Sequence, residues 1–139
     1  MLTPALKQPA MLSSRTLPAP RFRYSPVVQA GPFVFVSGLV ALDASTGALC
    51  GGGAYAETLQ ILMNVKRLAD EMGWSLEQLV LARVFCADFA KFPEVNLAWE
   101  EFFAERIPPG RTSVGVSALP LGALVEIEFQ FLVERPAAE

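Results

Sequence analysis

The stretch Pro109 to Glu128 (PGRTSVGVSALPLGALVEIE) sets one guanidinium, Arg111, and two carboxylates, Glu126 and Glu128, among small and apolar side chains. Arginine offers a planar fork of donors that grips a carboxylate at fixed geometry. A glutamate partly removed from water can carry a proton near neutrality. Its fork of donors suits Arg111 to hold a small carboxylate-bearing molecule. The chain contains no histidine, which excludes Ser-His and Cys-His nucleophiles, H-E-x-x-H zinc sites and imidazole proton shuttles. Acid–base work falls to carboxylates, Tyr, Lys or Cys.

The elements that must position these groups follow from the patterning. The segment VVQAGPFVFVSGLVAL (27–42) is β-branched and aromatic and is broken by Gly31-Pro32, predicting two strands joined by a tight turn. A turn at 43–47, a short strand near 48–50 and the flexible Gly51-Gly52-Gly53 come next. Helical spacing is expected over 56–72, with Leu59, Leu62, Val65 (or Met63), Leu68 and Met72 on one side and Gly73 as its stop. The mostly apolar run 79–88 predicts a strand buried on both faces. Pro93 opens a second helix whose apolar side holds Val95, Leu97 (or Ala98), Trp99, Phe102 and Phe103. Two last strands, near 111–117 and 124–134, flank the loop 118–122. The order β-β-β-α-β-α-β-β predicts an α+β domain, a mixed β-sheet with two helices packed on one face.

Side-chain alternation puts Thr112, Val114 and Val116 on one face of the first of these strands, with Arg111, Ser113, Gly115 and Ser117 on the other. In the last strand Val125, Ile127, Phe129, Phe131 and Val133 oppose Glu126, Glu128 and Gln130. If the apolar sets meet the helices, Arg111, Ser113 and Glu126 emerge together on the far face. From periodicity alone that face reads as the solvated outer face of an antiparallel ribbon before it reads as a site, and Glu126 and Glu128, about 6.6 Å apart along the strand, are not separated by periodicity.

At 139 residues with net charge −3, the chain suits one domain and lacks the basic footprint of a nucleic-acid binder. Its apolar fraction of 53% exceeds the roughly 45–50% of ordinary soluble domains, which favours an oligomer. The longest apolar stretch, 30–42, is shorter than the ~20 residues a membrane span needs. Residues 1–20 hold four prolines and lack the apolar core of a secretory signal, so they are expected to form a flexible N-terminal arm before a single domain at 21–135. Two lone cysteines, Cys50 and Cys86, fit a reducing, cytoplasmic setting, and Cys86 is expected to be inert core.

The segments YSPVVQAGPFVFVSG (24–38), ETLQILMNVKRLADEMG (57–73), FPEVNLAWEEFF (92–103) and PGRTSVGVSALPLGALVEIE (109–128) resemble the Rid (YjgF/RidA) family of enamine/imine deaminases. The resemblance spans roughly residues 22–134, and its last segment is the most specific. It implies a chorismate-mutase-like fold and a homotrimer with sites in clefts between subunits. It also implies that Arg111 pins the substrate carboxylate and that Glu126 positions or activates water. Ser113 occupies a position that is often Cys. Tyr24 stands at the cleft rim, Ser37-Gly38 beneath the substrate, and Asn96 matches the family's helix asparagine. Tyr24 could instead tie down the arm, and Asn96 could cap or bridge loops.

Such a site hydrolyses reactive 2-imino or enamine acids to 2-keto acids and ammonia. These imines are electrophilic already, so positioning and one acid/base suffice, with no metal and no cofactor expected. Two alternatives belong to the same resemblance: a dedicated catabolic enamine deaminase, and a non-catalytic 2-keto-acid-binding or regulatory module. Ribonuclease activity, described for some members, is disfavoured by the acidic balance and the missing histidine. The chain departs from the family pattern at Phe22-Arg23 before the tyrosine, at Leu39 and at Ser113, which points to relaxed or shifted substrate choice.

Overall fold

A computed structural model describes residues 8–133. Six strands, β1 (Ala10–Met11), β2 (Val27–Ala30), β3 (Phe33–Leu39), β4 (Leu79–Cys86), β5 (Gly110–Gly115) and β6 (Val125–Leu132), form one sheet in the order β1-β2-β3-β6-β4-β5. Helices α1 (Ala54–Met72) and α2 (Phe92–Phe102) interrupt the strands. All neighbours run antiparallel except β4 and β5, which the α2 crossover makes parallel. Both helices pack on one face, as the alternation and helical spacing predict.

Inward residues of the strands, among them Val34, Val36, Val84, Ile127, Phe129 and Phe131, meet Ile61, Leu62, Val65, Leu68, Val95 and Trp99 of the helices in one core. The buried stripe of α1 runs through Thr58, Ile61, Leu62, Val65, Leu68 and Ala69, so Val65 rather than Met63 points inward. In α2 Ala98, not Leu97, faces the core. Gly73 ends α1 in the left-handed region at φ 76°. The Gly73 and Trp74 amides donate to the Asp70 and Ala69 carbonyls, the paired bonds of a Schellman cap. Trp74 then lies against Phe131 with ring centroids 5.1 Å apart.

Three sequence expectations change. Residues 48–50 form no strand; Leu49 makes a single bridge with Leu42 across the turn that Asp43 closes. Strand β4 buries one face only, since Val80 and Arg83 are exposed and Leu81 and Phe85 half-buried while Leu79, Ala82, Val84 and Cys86 are enclosed. Its outward apolar residues join Phe33, Phe35 and Leu132 on an uncovered sheet face. Over residues 8–20 the expected loose arm is attached: β1 pairs with β2, Leu17 is buried, and the Glu71 carboxylate accepts from the Ser14 and Thr16 hydroxyls and the Arg15 and Thr16 amides. Residues 1–7 of that arm lie outside the described residues.

Burial alone would raise the Glu71 pKa, but these hydrogen bonds hold it below the ordinary carboxylate range. The clamp is therefore complete above that range and is lost as pH falls through the lowered value. In Glu71→Ala we expect the Arg15 and Thr16 amides to exchange hydrogen at least about tenfold faster, the loss of roughly one charged hydrogen bond. Hydrogen exchange read by mass spectrometry measures this, with Glu71→Gln intermediate.

Candidate active site

The seven residues singled out in the sequence fall into two clusters on opposite faces of the sheet. Strand β5 pairs Ala82 with Arg111 and Val84 with Ser113, so both side chains lie on the helix side, level with buried residues of β4. Arg111 Nη2 donates to Asn96 Oδ1 at 2.9 Å, and its guanidinium carbon sits 5.0 Å from the Trp99 ring centroid and 5.4 Å from that of Phe92. Helix α2 thus supplies a hydrogen-bonding side chain and two aromatic faces that hold the planar cation. Arg111 Nη1 and Ser113 Oγ are buried without a partner among the described residues.

This corrects the expectation that Arg111 and Ser113 emerge beside Glu126. The alternation argument sent Thr112 and Val114 inward because they are β-branched or apolar, yet both are exposed. Strand β5 is the edge of the sheet, and the aromatic seat on α2 takes the arginine in preference.

Glu126 pairs with Phe85 across β6 and β4 and points away from the helices. It opens into a cavity of about 380 Å³ that Tyr24, Ser37 and Gly38 also line. Burial, and then the neighbouring charge of Glu128, push its carboxyl above the ordinary range. Glu128 is engaged differently, in an ion pair with Arg83 at 3.4 Å. The two glutamates that periodicity left equivalent are thus distinguished: one faces a cavity, the other is paired on the open face.

Ser37 stands behind the rim: its Oγ donates to the Ser25 carbonyl at 2.7 Å and its amide to that of Pro26 at 2.9 Å, fixing the turn that carries Tyr24. Tyr24 itself is exposed. Gly38 makes room for the glutamate, because a Cβ there would lie 2.9 Å from both Glu126 Cδ and Oε2. The obstacle is the end of a flexible side chain, so Gly38→Ala should displace Glu126 at small cost to the fold. We expect a melting temperature within a few degrees of wild type but about tenfold lower turnover, measured on the same preparation.

Sequence reasoning missed two supports. Glu57 is buried on α1, and its Oε1 accepts from the Leu124 amide at 2.9 Å and the Val125 amide at 3.4 Å, anchoring the start of β6 just before Glu126. Asn64, also buried, donates to the Leu42 carbonyl at 2.8 Å in the cavity wall. The signal was present, since both are polar residues lying along the apolar stripe of α1. Among the described residues no three His, Cys, Asp or Glu side chains gather as they would around a metal ion, and no helix is long and apolar enough to cross a membrane.

A mixed six-stranded sheet with two helices on one face makes this an α+β protein, with an arginine seated on α2 and a glutamate in a cavity behind β6. Residues 14–132 match the family described as Endoribonuclease L-PSP. The 2-iminobutanoate/2-iminopropanoate deaminase of Mus musculus is 35% identical over 118 residues, covering 85% of this chain and 87% of that protein. Among solved structures, YyfA of the Rid protein family from Yersinia pestis has a TM-score of 0.84 at 28% identity, covering 91% of this chain and 100% of that one. TdcF of E. coli with bound serine has a TM-score of 0.82 at 26% identity, covering 90% and 99%. The chain belongs to the Endoribonuclease L-PSP family, the Rid (YjgF/RidA) family that its motifs resemble.

Proposed function

We propose that this protein hydrolyses 2-imino acids and their enamine tautomers to 2-keto acids and ammonia, at a site that two copies of the chain build together. The observation that carries the reading is that Arg111 Nη1 and, two residues along the same face of β5, Ser113 Oγ are both buried without a partner among the described residues. Buried donors are normally satisfied, and these two are aimed where no group of the described chain answers them. A substrate carboxylate supplies the missing acceptor.

Within one chain Arg111 lies on the helix side near the β5 edge, while Glu126 opens on the other face. A second copy that brings its Arg111 cluster against the Tyr24–Glu126 cavity completes the site. Such a contact joins two different surfaces, so it closes by forming a ring. The uncovered apolar residues Phe33, Phe35 and Leu132 give that ring a face to bury. A homotrimer is the assembly the family resemblance implies.

In the completed site Arg111 and Ser113 hold the carboxylate beside the C=N bond. Glu126 as carboxylate takes a proton from water while the water oxygen bonds to the imine carbon, and the C=N electron pair moves to nitrogen. Nitrogen takes that proton from Glu126 to complete the carbinolamine, which then collapses: Glu126 takes the hydroxyl proton and passes it to nitrogen, the oxygen lone pair forms C=O, the C–N bond breaks, and nitrogen departs as ammonia. The mouse relative's name, a 2-imino-acid deaminase, supports this chemistry. Other relatives carry only the family name RutC.

The serine held by TdcF favours a second reading, a module that binds amino or keto acids without turnover. Coupling an amino-acid oxidase to the protein and following keto-acid release above the spontaneous rate separates the two. Acceleration supports the deaminase. Thermal stabilisation by 2-keto acids with no acceleration supports the binding module.

A further inference from the structure

Which side chain the substrate carries is governed by the walls of the Glu126 cavity. In a single copy it measures about 380 Å³, within the ~300–1,000 Å³ of cavities that enclose drug-sized molecules. Its walls are chiefly Leu17, Pro20, Phe22, Leu39, Leu42 and Leu121.

The polar groups in the same walls are largely spent. Ser37 Oγ donates to the Ser25 carbonyl, Asn64 Nδ2 to the Leu42 carbonyl while its Oδ1 accepts from Gln60, and Arg21 Nη2 donates to the Gly47 carbonyl. The Tyr24 hydroxyl, the Glu126 carboxyl and the unspent donors of the exposed Arg21 remain, and the reacting end of the substrate needs Glu126. A polar side chain entering this cavity would give up water with little in return.

In a single copy two wall residues also show apolar surface. Phe22 is 80% exposed and Leu121 50% exposed. Leu121 holds the left-handed conformation, φ 62°, which a leucine adopts at a cost. Covering such surface rewards an apolar ligand in proportion to the area removed from water.

We propose that this cavity is a side-chain subsite that selects 2-imino acids bearing branched aliphatic or aromatic side chains over those bearing a methyl or a polar group. The proposal rests on the deaminase reading and names its substrate class. With the reacting carbon at Glu126, the substrate side chain extends along Leu39 and Leu42 toward Phe22 and Leu121.

The test generates imines from leucine, phenylalanine, alanine and glutamine with a broad-specificity amino-acid oxidase and compares kcat/KM. The leucine- and phenylalanine-derived imines are expected to exceed the alanine-derived one by roughly a hundredfold, the effect of a few buried methylenes. In Leu121→Gly, which suits the left-handed backbone, and in Phe22→Ala, that ratio should fall by about tenfold. Equal or better turnover of the alanine- or glutamine-derived imine overturns the subsite while leaving the deaminase intact. Calorimetry with the keto acids separates the two failures. If no imine is hydrolysed, phenylpyruvate binding at least about tenfold tighter than pyruvate still supports the subsite, and equal binding overturns it.

Discussion

Arg111→Ala should lower kcat/KM for 2-imino acids by roughly a thousandfold, about 4 kcal/mol, because in the proposed site it removes the charge that holds the substrate carboxylate. Arg111→Lys keeps the charge but loses the fork, and Asn96 Oδ1, which receives Nη2 at 2.9 Å, is left without that partner. The lysine variant should therefore recover only about tenfold of the loss. The guanidinium also rests on Phe92 and Trp99, so the alanine variant should lose on the order of 1 kcal/mol of stability. Steady-state kinetics beside thermal unfolding separates the two effects. A kinetic loss no larger than the stability loss would reduce Arg111 to a packing residue.

Glu126→Gln should cost about a hundredfold or more in kcat, the usual worth of a positioned acid/base, with little change in fold because the amide is isosteric. Burial first, and then Glu128, raise the Glu126 pKa. Because the reaction needs the carboxylate, activity falls as pH drops through that raised value, and the acid limb of kcat/KM lies above the ordinary carboxylate range. Glu128→Gln removes the repelling charge and should move the limb toward lower pH while leaving the plateau. A limb that stays in place in Glu128→Gln and persists in Glu126→Gln would assign the titration to another group.

Much of the fold follows from local patterning. The β2–β3 hairpin turns at Gly31, whose φ of 60° is the conformation glycine tolerates best. The α1 stop at Gly73 and the inward set Val125, Ile127, Phe129 and Phe131 were likewise visible in the residues alone. Local patterning failed where a long-range partner decided the outcome. Thr112 and Val114 face outward because Phe92 and Trp99, from a different element, offer Arg111 a better place. Strand β1 escaped notice because two residues carry no periodicity, and the arm's attachment depends on Glu71, more than fifty residues away. The cavity wall was hidden for the same reason. Its apolar residues come from the arm, from β3 and its following loop, and from the turn before β6, segments that only the folded chain brings together.

In the proposed assembly Arg111 of one copy and Glu126 of another serve the same substrate. Arg111→Ala and Glu126→Gln proteins are each expected to be nearly inactive in the oxidase-coupled assay. Unfolded together and reassembled in equal amounts, they should recover about a quarter of wild-type activity, because random pairing around a closed ring unites the intact Arg111 of one chain with the intact Glu126 of its neighbour at one site in four. A mixture no more active than the separate variants, with mixed assembly verified by native mass spectrometry, would contradict a shared site.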